Sequence, residues 1–161
     1  MVMTETTWAT PQPFFDMLNR EFQFTLDVAA LPGTAKCSRY FTPEDDGLSC
    51  SWDGETFWMN PPYGRGQNVY QWVKKAYETA KAGGTGVALL PASVDTKWFH
   101  EFVMKATEIR FVRDRLWFSL EGKAQRANHG SMIVVFDDKS GTAPRISTIS
   151  NARENSKTRT R

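Results

Sequence analysis

The sequence has few of the residues that build metal centres or disulfide frameworks. Two cysteines and two histidines occur among 161 residues, and Cys37, Cys50, His100 and His129 lack the spacing of zinc ligands. We therefore expect no metal and a reduced, intracellular protein. We recognise no signal peptide and no apolar run long enough to cross a membrane. A cytoplasmic protein without a membrane partner is the resulting expectation.

Neither sign of charge dominates the chain. The net charge of +2 permits a nucleic-acid partner without requiring one. The length suits one globular domain with a sizeable core and is short for two. Residues 1–148 are predicted to form a compact domain, and residues 149–161 a basic, disordered tail.

The distribution of apolar residues predicts an α/β fold with a mostly parallel sheet and an antiparallel last strand. Helices are predicted at 10–22, 68–84 and 95–107, and strands at 22–30, 56–59, 85–93, 108–120 and 131–138. Thr10 is predicted to be the N-cap of the first helix and Pro11 its first helical residue. The polar, basic segment 121–130 is predicted to be a loop.

The stretch TFWMNPPYGRG, residues 56–66, carries the most informative local pattern. A short apolar run is followed by an asparagine, two prolines and a tyrosine, and we call residues 60–63 the elbow. The prolines restrict the backbone and remove ladder donors, so they predict a stiff projection from the carboxyl end of a strand. Ligands of open α/β sheets bind beyond such ends. The elbow is therefore expected to face one cleft with Asp27 and residues 91–93.

The elbow suits recognition of an exocyclic amino group. The side-chain oxygen of Asn60 and a main-chain carbonyl fixed by Pro61 are two acceptors for the two hydrogens of such a group. Holding both hydrogens favours a tetrahedral nitrogen and frees a lone pair otherwise delocalised into the ring. Tyr63 is placed to stack on a base drawn out of a duplex. The alternative is a purely structural proline-rich turn.

These residues resemble the (Asp/Asn/Ser)-Pro-Pro-(Tyr/Phe/Trp) motif of amino-group DNA methyltransferases. The wider sequence, over about residues 7–137, resembles the small phage and prophage Dam-type adenine methyltransferases. The segments that carry this likeness are WATPQPFFDMLNREFQFTLDVAA, CSRYFTPEDDGLSCSW, NPPYG, LLPASVDTKWFHEFV and RLWF…SMIVVF. The resemblance implies a Rossmann-like methyltransferase fold. It also implies S-adenosylmethionine as methyl donor and the amino nitrogen of adenine in double-stranded DNA as acceptor.

The resemblance assigns roles to the four elbow residues. Asn60 and Pro61 would hold the target amino group. Pro62 would fix the loop, and Tyr63 would stack on the flipped base.

The resemblance also implies a set of residues at the methyl donor. These are Thr10 and Pro11 near its amino-acid end, Asp27 and Ala29 in the first cofactor motif, and Asp46 and Leu48 near its adenine. That first motif, DVAALPG, has alanines and only Gly33 where closely spaced glycines are usual. Asp27 could equally cap the following turn.

Tryptophans can line a ligand site or fill the core. Trp8 is the tryptophan expected at the ligand, as a further residue at the methyl donor, whereas Trp58, Trp72 and Trp98 are expected in the core.

Basic residues expected at DNA are Arg65, Arg115, Lys123 and Arg126. The alternatives are a solvated loop for Arg65 and a charged strand edge that blocks aggregation for the others. The chain is too short for a separate recognition domain, so sequence preference is expected from the loop after the elbow and from residues 119–130.

Two other functions remain open from the sequence. The same chemistry could act on RNA, cytosine or protein glutamine. Alternatively, the chain could be a catalytically silent DNA-binding module, because the first cofactor motif is atypical. A phage setting would suggest protection of DNA from restriction in a bacterial host cell.

Overall fold

The computed structural model describes residues 8–64, 66–120 and 122–153. Its helices are α1 (Gln12–Phe22), α2 (Val69–Lys81) and α3 (Lys97–Glu101). Its strands are β1 (Leu26–Asp27), β2 (Thr56–Met59), β3 (Thr85–Pro91), β4 (Glu108–Arg113), β5 (Trp117–Leu120), β6 (Lys123–Arg126), β7 (Ser131–Phe136) and β8 (Arg145–Ser150). Short 3-10 turns occur at Gly47–Ser49 and Val103–Lys105.

One sheet has the strand order β1-β2-β3-β7-β4-β8, and β5 and β6 form a separate hairpin. The pairs β1–β2, β2–β3 and β4–β8 are parallel. β7 runs antiparallel to both of its neighbours, β3 and β4. The predicted α/β fold with a mostly parallel sheet is thus confirmed, and its antiparallel strand is β7.

Helices cover both faces of this sheet. On β3, Val87 and Leu89 belong to the cluster that includes α1 side chains, whereas Ala88 and Leu90 belong to the cluster that includes α2 and α3. This alternation follows from the two-residue period of a strand. It explains why a strand buried on both faces appears in the sequence as a continuous apolar run.

The carboxyl ends of β1, β2 and β3 lie along one edge of the sheet because these strands are parallel. β7 begins at the same edge, where Ser131 pairs with Pro91. The elbow follows β2 directly, so it projects from this edge.

The prediction of a single strand over 108–120 is wrong. β4 ends at Arg113, and Asp114 has a φ of 63°, a left-handed conformation that redirects the chain. β5 then leaves the main sheet and pairs with β6, in a segment predicted to be a loop. Every residue of β6 is exposed, so no hydrophobic alternation marks this strand in the sequence.

The first helix also begins later than predicted. Pro11 is its N-cap and Gln12 its first residue. Because Pro11 is the N-cap, the Thr10 hydroxyl lies outside the helix, where it accepts a hydrogen bond from Asn60 Nδ2 at 3.1 Å.

Three further elements differ in extent from the predictions. The first predicted strand is reduced to Leu26–Asp27, and the third predicted helix is α3 followed by a 3-10 turn. β8 was not predicted, because it is a polar edge strand on which even Ile146 is exposed.

β8 also reaches into the segment predicted as a tail. It includes positions 149 and 150, and residues 154–161 of that segment lie outside the described residues. Among the described helices, none is long and apolar enough to cross a membrane.

Candidate active site

The elbow separates two cavities at the carboxyl edge of the sheet. One has a volume of about 240 Å³ and is bordered by Ala29, Leu48 and Trp72; we call it the Trp72 cavity. The other has a volume of about 400 Å³ and is bordered by Trp8, Asn60 and His129; we call it the Asn60 cleft. Pro62 lines both. Ligands bound in the two spaces would therefore meet at the elbow.

The Trp72 cavity brings together three of the residues predicted at the methyl donor. Ala29, Asp46 and Leu48 all line it, although the chain between the first two is long and irregular. Asp46 has a φ of 51°, and its carboxylate accepts a hydrogen bond from the Ser49 hydroxyl at 2.5 Å. The carboxylate is thereby fixed at the cavity wall.

Gly47 lets the loop that carries Asp46 approach the rest of the cavity wall. A Cβ atom at this position would lie 2.4 Å from the Val28 carbonyl oxygen and 3.1 Å from the Trp72 ring. No side chain fits there without displacing the backbone. Trp72 itself is half-buried and stacks on Trp52, with ring centroids 5.9 Å apart. The cavity thus combines an aromatic wall with one fixed carboxylate.

Asp27 lies behind the Trp72 cavity and does not line it. Its side chain is buried and accepts hydrogen bonds from the main-chain N–H groups of Lys36, at 3.0 Å, and Ala29, at 3.3 Å. Burial raises the pKa of this carboxyl, while the two N–H donors act in the opposite direction. Asp27 therefore holds the backbone at Ala29 in place, which is a different role from direct contact with a ligand.

In the Asn60 cleft, the Asn60 side chain is buried and its amide is anchored through Nδ2. Nδ2 donates to the Trp8 carbonyl oxygen at 3.2 Å and to Thr10 Oγ1 at 3.1 Å. Trp8 and Thr10, which were predicted at the methyl donor, thus contact the elbow. Pro11 lines neither of these two cavities. Its carbonyl oxygen accepts hydrogen bonds from the main-chain N–H groups of Phe14 and Phe15.

Tyr63 turns its hydroxyl into the protein. The hydroxyl lies within hydrogen-bonding distance of Asn60 Oδ1 and of the Leu89 carbonyl oxygen, and it can donate its one proton to either. Burial raises the pKa of the phenol, so it remains a donor. The ring lies edge-on to His129, with centroids 6.0 Å apart. In this arrangement Tyr63 occupies the Asn60 oxygen that was predicted to accept from a substrate.

The described residues among those predicted to contact DNA have different surroundings. Arg126 lines a recess of about 210 Å³ with Trp8, Tyr63 and His129, next to the Asn60 cleft. Lys123 is exposed at the other end of β6. Arg115 is half-buried, and its Nη1 atom is buried without a hydrogen-bond partner among the described residues. Arg65 lies outside the described residues.

Sequence reasoning missed several cavity residues. Trp72 was expected in the core but lines the Trp72 cavity, and Gly47 and Asn128 were not singled out. The position of Trp72 near the start of the helix that follows the elbow was an available signal, since that part of the helix must lie close to the strand ends. Within the described parts of the chain, no group of three or more His, Cys, Asp or Glu residues could hold a metal ion.

Comparison with known proteins identifies the family. The model of the DNA N-6-adenine-methyltransferase (Dam) family matches residues 2–160. A DNA N-6-adenine-methyltransferase of Haemophilus phage HP1 (strain HP1c1) is 32% identical over 139 residues, which cover 82% of this chain and 79% of that protein. The DNA N-6-adenine-methyltransferase of Escherichia phage T1 is 31% identical over 117 residues, or 71% of this chain, and the match spans 48% of the phage T1 protein. The chain therefore belongs to the Dam family of DNA N-6-adenine methyltransferases, which are enzymes.

Proposed function

We propose that this protein transfers a methyl group from S-adenosylmethionine to the exocyclic amino group of adenine in double-stranded DNA. The observation that carries the proposal is the elbow between two cavities, with Pro62 in the wall of both. Methyl transfer requires donor and acceptor to lie next to each other, and two cavities that share one stiff segment support this proposal.

The Trp72 cavity fits the nucleoside part of the donor. The Trp72 ring offers an apolar face for a heteroaromatic base. The Asp46 carboxylate can accept hydrogen bonds from ribose hydroxyls. Gly47 allows the close approach of the loop, and Ala29 and Leu48 complete the wall. When bound, S-adenosylmethionine supplies an electrophilic methyl group on a positively charged sulfur.

The Asn60 cleft fits the acceptor. Asn60 Oδ1 and the Pro61 carbonyl would accept the two hydrogens of the adenine amino group, so that its nitrogen lone pair points toward the methyl group. A donor held in the Trp72 cavity would supply the methyl group as its sulfur–carbon bond breaks, and the adenine nitrogen would then lose one proton to solvent. No covalent bond to the protein is needed.

Tyr63 is proposed to shift in this reaction. Its hydroxyl contacts Asn60 Oδ1, where it competes with the incoming amino group for that oxygen. The freed ring is then available to stack on a base extruded from the duplex.

DNA is proposed to approach from the side of the β5–β6 hairpin. Arg126 is next to the Asn60 cleft and Lys123 is exposed on the same strand, so both can contact phosphates. Arg65, adjacent to the elbow in sequence, is proposed for the same role. Because the relatives from Haemophilus phage HP1 and Escherichia phage T1 are phage proteins, we propose that the enzyme acts on DNA in the cytoplasm of a bacterial host.

Expression in a bacterial strain that lacks adenine methylation tests this function. We expect mass spectrometry of plasmid nucleosides to find N6-methyladenine with the wild type. With Asn60→Ala the signal should fall by about 100-fold or more, the scale seen when one transition-state contact is removed. Calorimetry should show that Asn60→Ala still binds the donor, because Asn60 does not line the Trp72 cavity.

Two results would contradict the proposal. Unmodified DNA, with a wild-type protein that binds the donor, would move the acceptor to RNA or protein. Absence of donor binding would favour a silent DNA-binding module.

A further inference from the structure

We propose that Thr10 and the main-chain carbonyl of Trp8 are positioning groups that fix the orientation of the Asn60 amide. Asn60 Nδ2 lies 3.1 Å from Thr10 Oγ1 and 3.2 Å from the Trp8 carbonyl oxygen. These two hydrogen bonds leave Oδ1 on the side of Tyr63 and the Asn60 cleft. The orientation is a property of the folded chain. Its effect on rate rests on the proposed function.

The orientation matters because the two ends of an amide have the same shape and opposite hydrogen-bonding character. If the Asn60 amide were turned over, its NH₂ group would face the cleft. A donor would then meet the donor hydrogens of the adenine amino group. The productive and unproductive states therefore differ only in which end of the amide, the NH₂ group or the oxygen, faces Trp8 and Thr10.

The Trp8 carbonyl decides between these states. A carbonyl oxygen can accept hydrogen bonds but cannot donate them. The Asn60 atom that lies 3.2 Å from the Trp8 carbonyl oxygen must therefore be the nitrogen Nδ2. In the turned-over amide, two oxygens would face each other at that distance. Thr10 takes the second hydrogen of Nδ2, and both Thr10 and Asn60 are buried, so neither hydrogen can be satisfied by bulk water.

The segment that supplies these two acceptors is itself held by the β5–β6 hairpin. Ala9 N–H donates to the Ser119 carbonyl at 2.8 Å, and Ser119 N–H donates to the Ala9 carbonyl at 3.1 Å. Ala9 stands between Trp8 and Thr10, so its two main-chain hydrogen bonds fix both. The hairpin that carries Lys123 and Arg126 is thereby linked to the side chain that is proposed to receive the substrate.

Thr10→Val tests the proposal because valine keeps the shape of threonine and cannot accept a hydrogen bond. We expect kcat to fall about 10-fold, the equivalent of one neutral hydrogen bond. The KM for DNA and the Kd for S-adenosylmethionine should stay within about twofold, because Thr10 itself is proposed to contact neither substrate. Thr10→Ser, which restores the hydroxyl, should return kcat to within about threefold of the wild type.

The matched control is Thr148→Val, the same chemical change at an exposed position of β8, and it should leave kcat unchanged. Equal losses in Thr10→Val and Thr10→Ser would show that packing, and not the hydroxyl, is responsible. A loss of donor affinity with an unchanged kcat would place Thr10 at the donor. Either result overturns the positioning role.

Nuclear magnetic resonance reads the orientation without any need for activity. In ¹⁵N-labelled wild type and Thr10→Ser, the Asn60 Nδ2 protons should show cross-relaxation to Thr10 and slow exchange with solvent; in Thr10→Val their exchange should accelerate. Cross-relaxation to the Tyr63 ring in place of Thr10 would overturn the orientation. A wild type that shows this orientation but methylates no DNA would remove the proposed function and leave the structural inference standing.

Discussion

The Trp72 cavity and the Asn60 cleft lie on either side of the elbow, and they are held together differently. Hydrogen bonds to main-chain carbonyls hold the wall residues of the Trp72 cavity in place. Ala30 N–H donates to the carbonyl of Phe41, another wall residue, at 2.9 Å. Behind the wall, Trp52 Nε1 donates to the Gly47 carbonyl at 2.9 Å and Lys75 Nζ to the Leu48 carbonyl at 2.7 Å. The Asn60 cleft borders residues 128–129, which follow a two-stranded hairpin that lies outside the main sheet.

The two spaces also differ in what occupies their polar groups. The Asp46 carboxylate at the Trp72 cavity keeps one oxygen outside its hydrogen bond to Ser49. In the Asn60 cleft, the Tyr63 hydroxyl contacts the acceptor oxygen of Asn60. The polar group of the first space is open to a ligand, whereas that of the second already has an internal partner with which a ligand would compete. This difference predicts that substitutions in each space act on one substrate only.

The largest separation between the two spaces is expected from Asp46→Asn. Loss of the charged acceptor should weaken donor binding about 30-fold, the scale of a hydrogen bond to a charged group. The affinity for DNA, measured by fluorescence anisotropy, should not change. Asp53→Asn is the matched control on an exposed turn and should leave donor affinity, measured by calorimetry, as in the wild type. If Asp46→Asn lowered the affinities for the donor and for DNA equally, the two spaces would not act separately.

A pair of substitutions at Tyr63 tests the other side of the comparison. Tyr63→Ala should lower kcat/KM about 10-fold, because it removes the stacking surface for the base. Tyr63→Phe keeps that surface and removes the hydroxyl that contacts Asn60 Oδ1. It should therefore be as active as the wild type or more active, by up to about threefold, since one competing hydrogen bond is gone. If Tyr63→Phe were as impaired as Tyr63→Ala, the hydroxyl would have a direct role in the reaction.

The smallest effect is expected from Arg126→Ala. It should reduce DNA affinity about threefold at moderate salt. The slope of log affinity against log salt should become shallower by about one unit, which corresponds to one lost phosphate contact. Donor affinity should stay constant. Arg20→Ala, at an exposed position in the last turn of α1, is the matched control and should change neither. An unchanged salt slope for Arg126→Ala would place the DNA elsewhere.

The elbow could be found from the sequence because its signals are local. Two adjacent prolines after a short apolar run mark a stiff end of a strand, and β2 and the elbow lie where this pattern placed them. The strongly periodic helix α2 and the apolar strand β3 were found for the same reason. Each of these features is encoded within a dozen neighbouring residues.

The hairpin and β8 could not be found in this way. β6 is exposed throughout, and β8 is polar and lies at an edge, so neither carries an apolar face. Asp114 redirects the chain with a positive φ and without a glycine to announce it. The contact between Thr10 and Asn60 joins residues 50 positions apart, and only the fold brings them together. Sequence reasoning therefore located the elbow better than the parts of the fold that orient it.

The most direct test of the central claim uses a donor whose transferable methyl group is deuterated. Purified protein would be incubated with this donor and plasmid DNA that lacks adenine methylation, and the nucleosides would be analysed by mass spectrometry. We predict a trideuteromethyl group on N6 of adenine with the wild type and its loss with Asn60→Ala. Label on N4 of cytosine, or equal label on adenine in both proteins, would contradict the account.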